Sequence, residues 1–166
     1  YAHHYAWNAG MMCKMAKPTH RKMRFFLIAL ILLLPSCETI GGSVTASHAR
    51  AWSGEHFRKQ QTRQCANFVA SCVAASGNTP LPVGYSKASA WCDWGRPVSR
   101  SQLLPGDIVI MKNTYKRGVS HVGVYVGGKN RMMVHRPTAN RPVKTVLLSS
   151  YNGKIWGFRR RVNKVR

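Results

Sequence analysis

Apolar residues along this chain fall into one unbroken run, one stretch with helical spacing, and several short runs separated by turn residues. The unbroken run, residues 25–34, is Phe-Phe-Leu-Ile-Ala-Leu-Ile-Leu-Leu-Leu. It is too short to span a bilayer as a helix, which takes about 20 apolar residues. Further on, Phe68, Val69, Cys72 and Val73 recur at i, i+1, i+4, i+5. That spacing predicts a helix over 64–75 with one buried face, stopped by Gly77-Asn78. Residues 79–84 read as a loop, and 86–91 as a short helix with Trp91 and Trp94 packing. Leu104-Pro105-Gly106-Asp107 is a turn signal. Strands are then expected at 108–112, 121–126, 131–135, 144–148 and 155–161. Gly127-Gly128-Lys129-Asn130 suits a hairpin connection between the second and third of these. A helix followed by an antiparallel meander predicts an α+β fold, with the helix on one side of the sheet.

The N-terminal run changes the domain picture. Lys17, His20, Arg21, Lys22 and Arg24 precede it, and Pro35-Ser36-Cys37 follow. A basic flank plus a short apolar stretch is the pattern of an export signal. Leu34-Pro35-Ser36-Cys37 resembles a bacterial lipobox, which implies lipidation at Cys37. A plain secretory signal and an uncleaved anchor are the other readings. The chain starts at Tyr1, so 1–14 is expected to be an upstream extension. Residues 15–37 are then the lipoprotein signal, 38–48 a Gly/Ser-bearing tether, and 49–166 the domain. The expected location is the cell envelope, lipid-anchored to the membrane on its periplasmic or extracellular side.

Charge narrows the partners. The chain has 26 Lys+Arg against 4 Asp+Glu, net +22. Lys14, Lys17, Arg21, Lys22 and Arg24 lie before Cys37, which leaves 21 against 4, net +17, beyond it. Such a surface attracts polyanions. For an exported protein these are an anionic envelope surface and the carboxylates of peptidoglycan. The basic residues are scattered and accompany no nucleic-acid motif, so no nucleic acid is expected. A monomer is expected.

Five cysteines are present: Cys13, Cys37, Cys65, Cys72 and Cys92. Cys72 and Cys92 are either a candidate disulfide or two small core residues. No metal-ligand spacing occurs among Cys65, Cys72, Cys92, His121 and His135, so neither a metal nor another cofactor is expected. Cys65 falls at the predicted helix start, where the helix dipole and a neighbouring imidazole can favour a thiolate. His121 and His135 lie on strands joined by the Gly127–Asn130 turn, which brings them side by side as base and orienter. Backbone N–H groups at the helix start could hold an oxyanion, with Gln64 as a further candidate donor. Taken singly, Cys65 reads as a small buried residue, His121 as a structural polar residue at a strand end and His135 as a surface residue before Arg136-Pro137. Their joint order points to a nucleophilic cysteine hydrolase.

Several stretches strengthen that reading. They are Cys65-Ala66-Asn67-Phe68-Val69, Leu104-Pro105-Gly106-Asp107-Ile108-Val109, Ser120-His121-Val122-Gly123-Val124-Tyr125-Val126-Gly127, Met133-Val134-His135-Arg136-Pro137 and Trp156-Gly157-Phe158-Arg159-Arg160. In this order they resemble the NlpC-type papain-like cell-wall cysteine peptidases. The resemblance implies cleavage of amide bonds in peptidoglycan stem peptides through a thioester acyl-enzyme. Cys65 would be the nucleophile, His121 the base and His135 the polar residue that orients it. The family usually has Asp-Cys-Ser-Gly-Phe where this chain has Gln64-Cys65-Ala66-Asn67-Phe68. It also usually carries a Tyr ahead of the Cys, and Ala51-Trp52-Ser53-Gly54-Glu55-His56 has none. Gln before Cys is closer to the CHAP family, which gives an N-acetylmuramoyl-L-alanine amidase as the alternative enzyme. A catalytically silent basic lipoprotein that binds the envelope is the alternative of another class.

Overall fold

The computed structural model describes residues 37–57, 64–77, 79–138 and 140–162. The segment expected at 1–14, and all but the last residue of the one expected at 15–37, lie outside the described residues. Two helices, α1 (Cys37–Ala51) and α2 (Gln64–Ala74), precede six strands: β1 (Arg96–Val98), β2 (Ile108–Lys112), β3 (Val119–Gly127), β4 (Met132–His135), β5 (Lys144–Leu147) and β6 (Ile155–Arg160). They form one sheet in the order β1-β6-β2-β3-β4-β5, and every neighbouring pair is antiparallel. The expected α+β fold is therefore present. The meander runs from β2 to β5, and β6 returns to the free edge of β2. β1 had no counterpart in the sequence reading; three residues give no detectable alternation. The short helix expected at 86–91 is a tight 3-10 turn at Ala88–Asp93.

Alternation in the strands explains the two cores. Val122, Val124 and Val126 of β3 face the helices, together with Ile108, Ile110 and Val134. Val109, Met111, Tyr125 and Met133 point the other way, with Leu148 and Phe158. α2 buries Ala66, Phe68, Val69, Ala70, Cys72 and Val73 on the helix-side core. Phe57 and Phe68 meet edge to face at 5.5 Å, as do Trp91 and Trp94 at 5.3 Å. Both indole N–H groups find acceptors: Trp91 Nε1 donates to the Tyr85 carbonyl and Trp94 Nε1 to the Pro80 carbonyl, each at 2.9 Å. Burial of this aromatic area, with its polar tips satisfied, stabilises that side together with the aliphatic residues around it.

One expectation is corrected here. Residues 38–48 do not form a tether; they lie within α1, and Thr45, Ala46 and Ala49 are buried in the body of the protein. The packed body therefore begins before residue 49. The reason lies in the glycines that had suggested flexibility. A Cβ on Gly106 would sit 2.1 Å from the carbonyl oxygen of Gly42, and one on Gly42 would sit 2.7 Å from that of Pro105. Gly106 also has φ +95°. Glycine at both positions lets the helix backbone lie directly on the Pro105-Gly106-Asp107 turn. The Arg50 guanidinium, about two helix turns beyond Gly42, donates to the Val126 carbonyl at the end of β3.

The same turn is clamped from the other side. Asp107 is buried and takes a forked ion pair from Arg160, Nε to Oδ1 and the terminal nitrogen to Oδ2, both 2.7 Å. Its Oδ2 also accepts the Leu104 N–H at 2.8 Å. A buried carboxylate needs such a set of donors, and the bidentate Arg fixes β6 to the turn as well.

Candidate active site

α2 begins at Gln64, so Cys65 is its second residue. No acidic side chain occupies the first turn. The positive end of the helix dipole is thus left to act on the sulfur. Cys65 is partly buried. Burial pushes its thiol up, while the backbone N–H groups of Val122, Ala66 and Cys65 itself act in the opposite direction. The sulfur therefore reaches across to β3, at the residue next to His121.

His121 sits beside an irregularity in β3. Met111 pairs with His121 and Lys112 with Val119, so Ser120 is an extra residue in the strand. Bulges of this kind re-aim side chains next to functional sites. His121 is fully buried, and its Nε2 lies 2.7 Å from Nδ1 of His135. The rings cross at 84° with centroids 4.9 Å apart. Gly123 makes room for this: a Cβ there would press on the Val134 carbonyl at 2.9 Å and on the His135 Cβ at 3.1 Å. Nδ1 of His121 has no hydrogen-bond partner among the described residues. With Nε2–H donating to His135, that Nδ1 is a bare lone pair.

Both imidazoles are held neutral. Burial first, and then a charge on His135, lower His121 to about 3. Burial first, and then Lys144 on the neighbouring strand, lower His135 to about 4. Burial, aided by Lys144, thus keeps His135 in the neutral form that can accept from His121. Two further aromatic residues complete the setting. The Tyr115 ring meets His121 edge-on at 5.1 Å, and Tyr151 meets His135 at 5.5 Å. The Tyr115 hydroxyl donates to the Pro137 carbonyl. Its phenol is raised by burial, with smaller contributions from Tyr151 and Cys65. Sequence reasoning missed both tyrosines. The signal for Tyr115 was an aromatic residue in the β2–β3 loop shortly before His121, outside the segment where a tyrosine was sought.

The structure thus brings His121 and His135 into direct contact and sets Cys65 against the strand that carries His121. Gln64 opens the same helix. Cys37 is the first residue of α1. The candidate Cys72–Cys92 disulfide is not formed: Cys65, Cys72 and Cys92 are free thiols. Cys72 is committed to the buried face of α2, and Cys92 to the turn whose carbonyl accepts from Arg159. Among the described residues no three His, Cys, Asp or Glu side chains gather as metal ligands. A helix-start cysteine set against the strand that carries a neutral imidazole pair has the parts of a nucleophilic acyl-transfer site.

Residues 50–163 match the NlpC/P60 family profile. The chain belongs to the NlpC/P60 family. This is a family of cysteine peptidases, and its members include proteins named as endopeptidases. The chain is 27% identical over 153 residues to the probable endopeptidase NlpC of Escherichia coli, covering 81% of this chain and 94% of that protein. It is 34% identical over 79 residues to a protein of Bacillus subtilis named Gamma-DL-glutamyl hydrolase. That match covers 46% of this chain, which spans only 19% of the length of the Bacillus relative. NlpC2 from Trichomonas vaginalis has the same fold, with a TM-score of 0.60 at 18% identity over 80% of this chain and 49% of that one.

Proposed function

We propose that this NlpC/P60 domain is a peptidoglycan hydrolase that cuts an amide bond of the stem peptide by a Cys65–His121–His135 mechanism. The observation that carries the reading is the 2.7 Å His121–His135 contact, which leaves Nδ1 of His121 bare on the strand that Cys65 abuts. The thiol proton passes to that Nδ1 as sulfur attacks the carbonyl carbon. The oxyanion is received by N–H groups at the start of α2, including that of Cys65. Collapse breaks the C–N bond, and His121 gives its proton to the leaving amine. Water then adds to the thioester, with His121 taking its proton, and the acid leaves as Cys65 recovers its thiol. His135 accepts from Nε2–H throughout and fixes the tautomer.

The name of the Escherichia coli relative supports an internal amide bond of a peptide, and the Bacillus protein's name supports a γ-glutamyl bond. The basic flank and lipobox-like segment support lipidation at Cys37 and work at the envelope. The test is mass analysis of fragments released from purified peptidoglycan by the protein and by Cys65→Ala. New N-termini within the stem, absent with the variant, are expected. Free stem peptides with intact glycan would instead favour the amidase. No release across pH and wall types would leave a binding protein.

A further inference from the structure

The cavity at Cys65 measures about 220 Å³ and is walled by two loops. One leads into the Ala88–Asp93 turn and contributes Ser86, Lys87 and Ser89; the other joins β2 to β3 and contributes Lys116. Both are firmly held. The Lys87 N–H donates to the Gly84 carbonyl at 2.9 Å, and Trp91 anchors Tyr85 beside it. In the second loop the Asn113 N–H donates to the Gly118 carbonyl at 2.8 Å, and the Gly118 N–H returns a bond to Asn113 Oδ1 at 2.9 Å. Ser120, which also lines the cavity, accepts at Oγ the Thr114 N–H at 3.1 Å and the Tyr115 N–H at 3.4 Å.

These contacts set the chemistry of the cavity. A hydroxyl whose lone pairs are both engaged has only its proton to offer. Ser120 is therefore a donor toward the cavity, and two ammonium groups are donors by nature. No acidic residue lines the cavity among the described residues. Asp107, one of only four in the chain, is already paired with Arg160. A set of donors with two positive charges and no counter-ion is complementary to an anionic acceptor.

We propose that Lys87 and Lys116 hold a free carboxylate of the substrate beside the bond that Cys65 attacks. This rests on the hydrolase reading and adds to it the selection of acidic over amidated peptides. A γ-glutamyl peptide presents such a group, because its α-carboxylate is free.

Binding, which needs no turnover, tests the inference separately. The full chain carrying Cys65→Ala is titrated calorimetrically with a γ-glutamyl peptide bearing a free α-carboxylate and with its α-carboxamide. The carboxylate is expected to bind roughly tenfold tighter, between the strength of an exposed ion pair and that of a charged hydrogen bond. Adding Lys87→Gln and Lys116→Gln should remove that preference while leaving the carboxamide's affinity unchanged, which also shows that the variant is folded. Equal affinities, including no detectable binding of either peptide, would overturn the proposal, as would a preference that survives both substitutions. Failure of the hydrolase reading looks different: wild-type protein would release nothing from either peptide, whatever the binding preference.

Discussion

At the scale of single residues, the site depends on which nitrogen of His121 is free. His135 Nδ1 lies at His121 Nε2, which leaves Nδ1 for proton transfer. His135→Ala removes the acceptor and should lower kcat by roughly 10- to 100-fold with little change in KM. His135→Asn, whose amide oxygen can still accept, should recover part of the loss. Equal turnover in all three proteins would remove His135 from the mechanism. The free thiols allow a second expectation. Reductant should leave the thermal midpoint unchanged, and Cys72 and Cys92 should both alkylate in unfolded, unreduced protein. A midpoint that drops on reduction would mean that a bridge exists. The helix-start position of Cys65 and the pairing of His121 with His135 were legible in the sequence because hairpin topology and helix start are local properties. Tyr115 was not, because its contact with His121 depends on the path of a six-residue loop, 113–118, and on the bulge at Ser120.

At the scale of elements, α1 is the segment that pattern reading misjudged. Its sequence, Cys-Glu-Thr-Ile-Gly-Gly-Ser-Val-Thr-Ala-Ser-His-Ala-Arg-Ala, is rich in small residues and poor in large apolar ones. Propensity alone would leave it unfolded, since glycine and β-branched residues cost helix stability. Packing reverses that, because small residues allow the close approach at Gly106. Gly106→Ala should therefore cost roughly 2–4 kcal/mol, combining a left-handed φ with a backbone clash. Gly54→Ala is the control. Gly54 has φ +91° but nothing within 4 Å of its would-be Cβ, so it should cost only about 1 kcal/mol. Urea unfolding of both variants measures the difference, and equal losses would show that the contact between α1 and the turn carries no weight. The strands of the meander were placed within a residue or two, because each carries its own run of apolar residues between turn signals.

For the whole molecule, burial of two neutral histidines couples stability to pH. Both are held below the ordinary histidine value near 6.5, at about 3 and about 4. The unfolded chain then binds more protons than the folded one as pH falls below 6.5. The histidine contribution should be constant from that point up to pH 7.5 and decline toward pH 4, with a slope approaching about 1.4 kcal/mol per pH unit for each histidine. The urea midpoint measured between pH 7.5 and 4 checks this. The slope should shrink in His135→Asn, and a flat profile in the parent protein would mean that the two imidazoles are not held neutral by burial. By itself the sequence determined the α+β class, the cysteine at a helix start and the two histidines on adjacent strands. All of these follow from periodicity and turn chemistry, which act over a few residues. Tertiary structure alone decided that a glycine-rich segment is a helix, that Cys72 and Cys92 stay apart as thiols, that Tyr115 faces His121, and that Lys87 and Lys116 share the Cys65 cavity. Each of these joins segments distant in the chain, and only the packing of the helices and loops against the sheet fixes such distances.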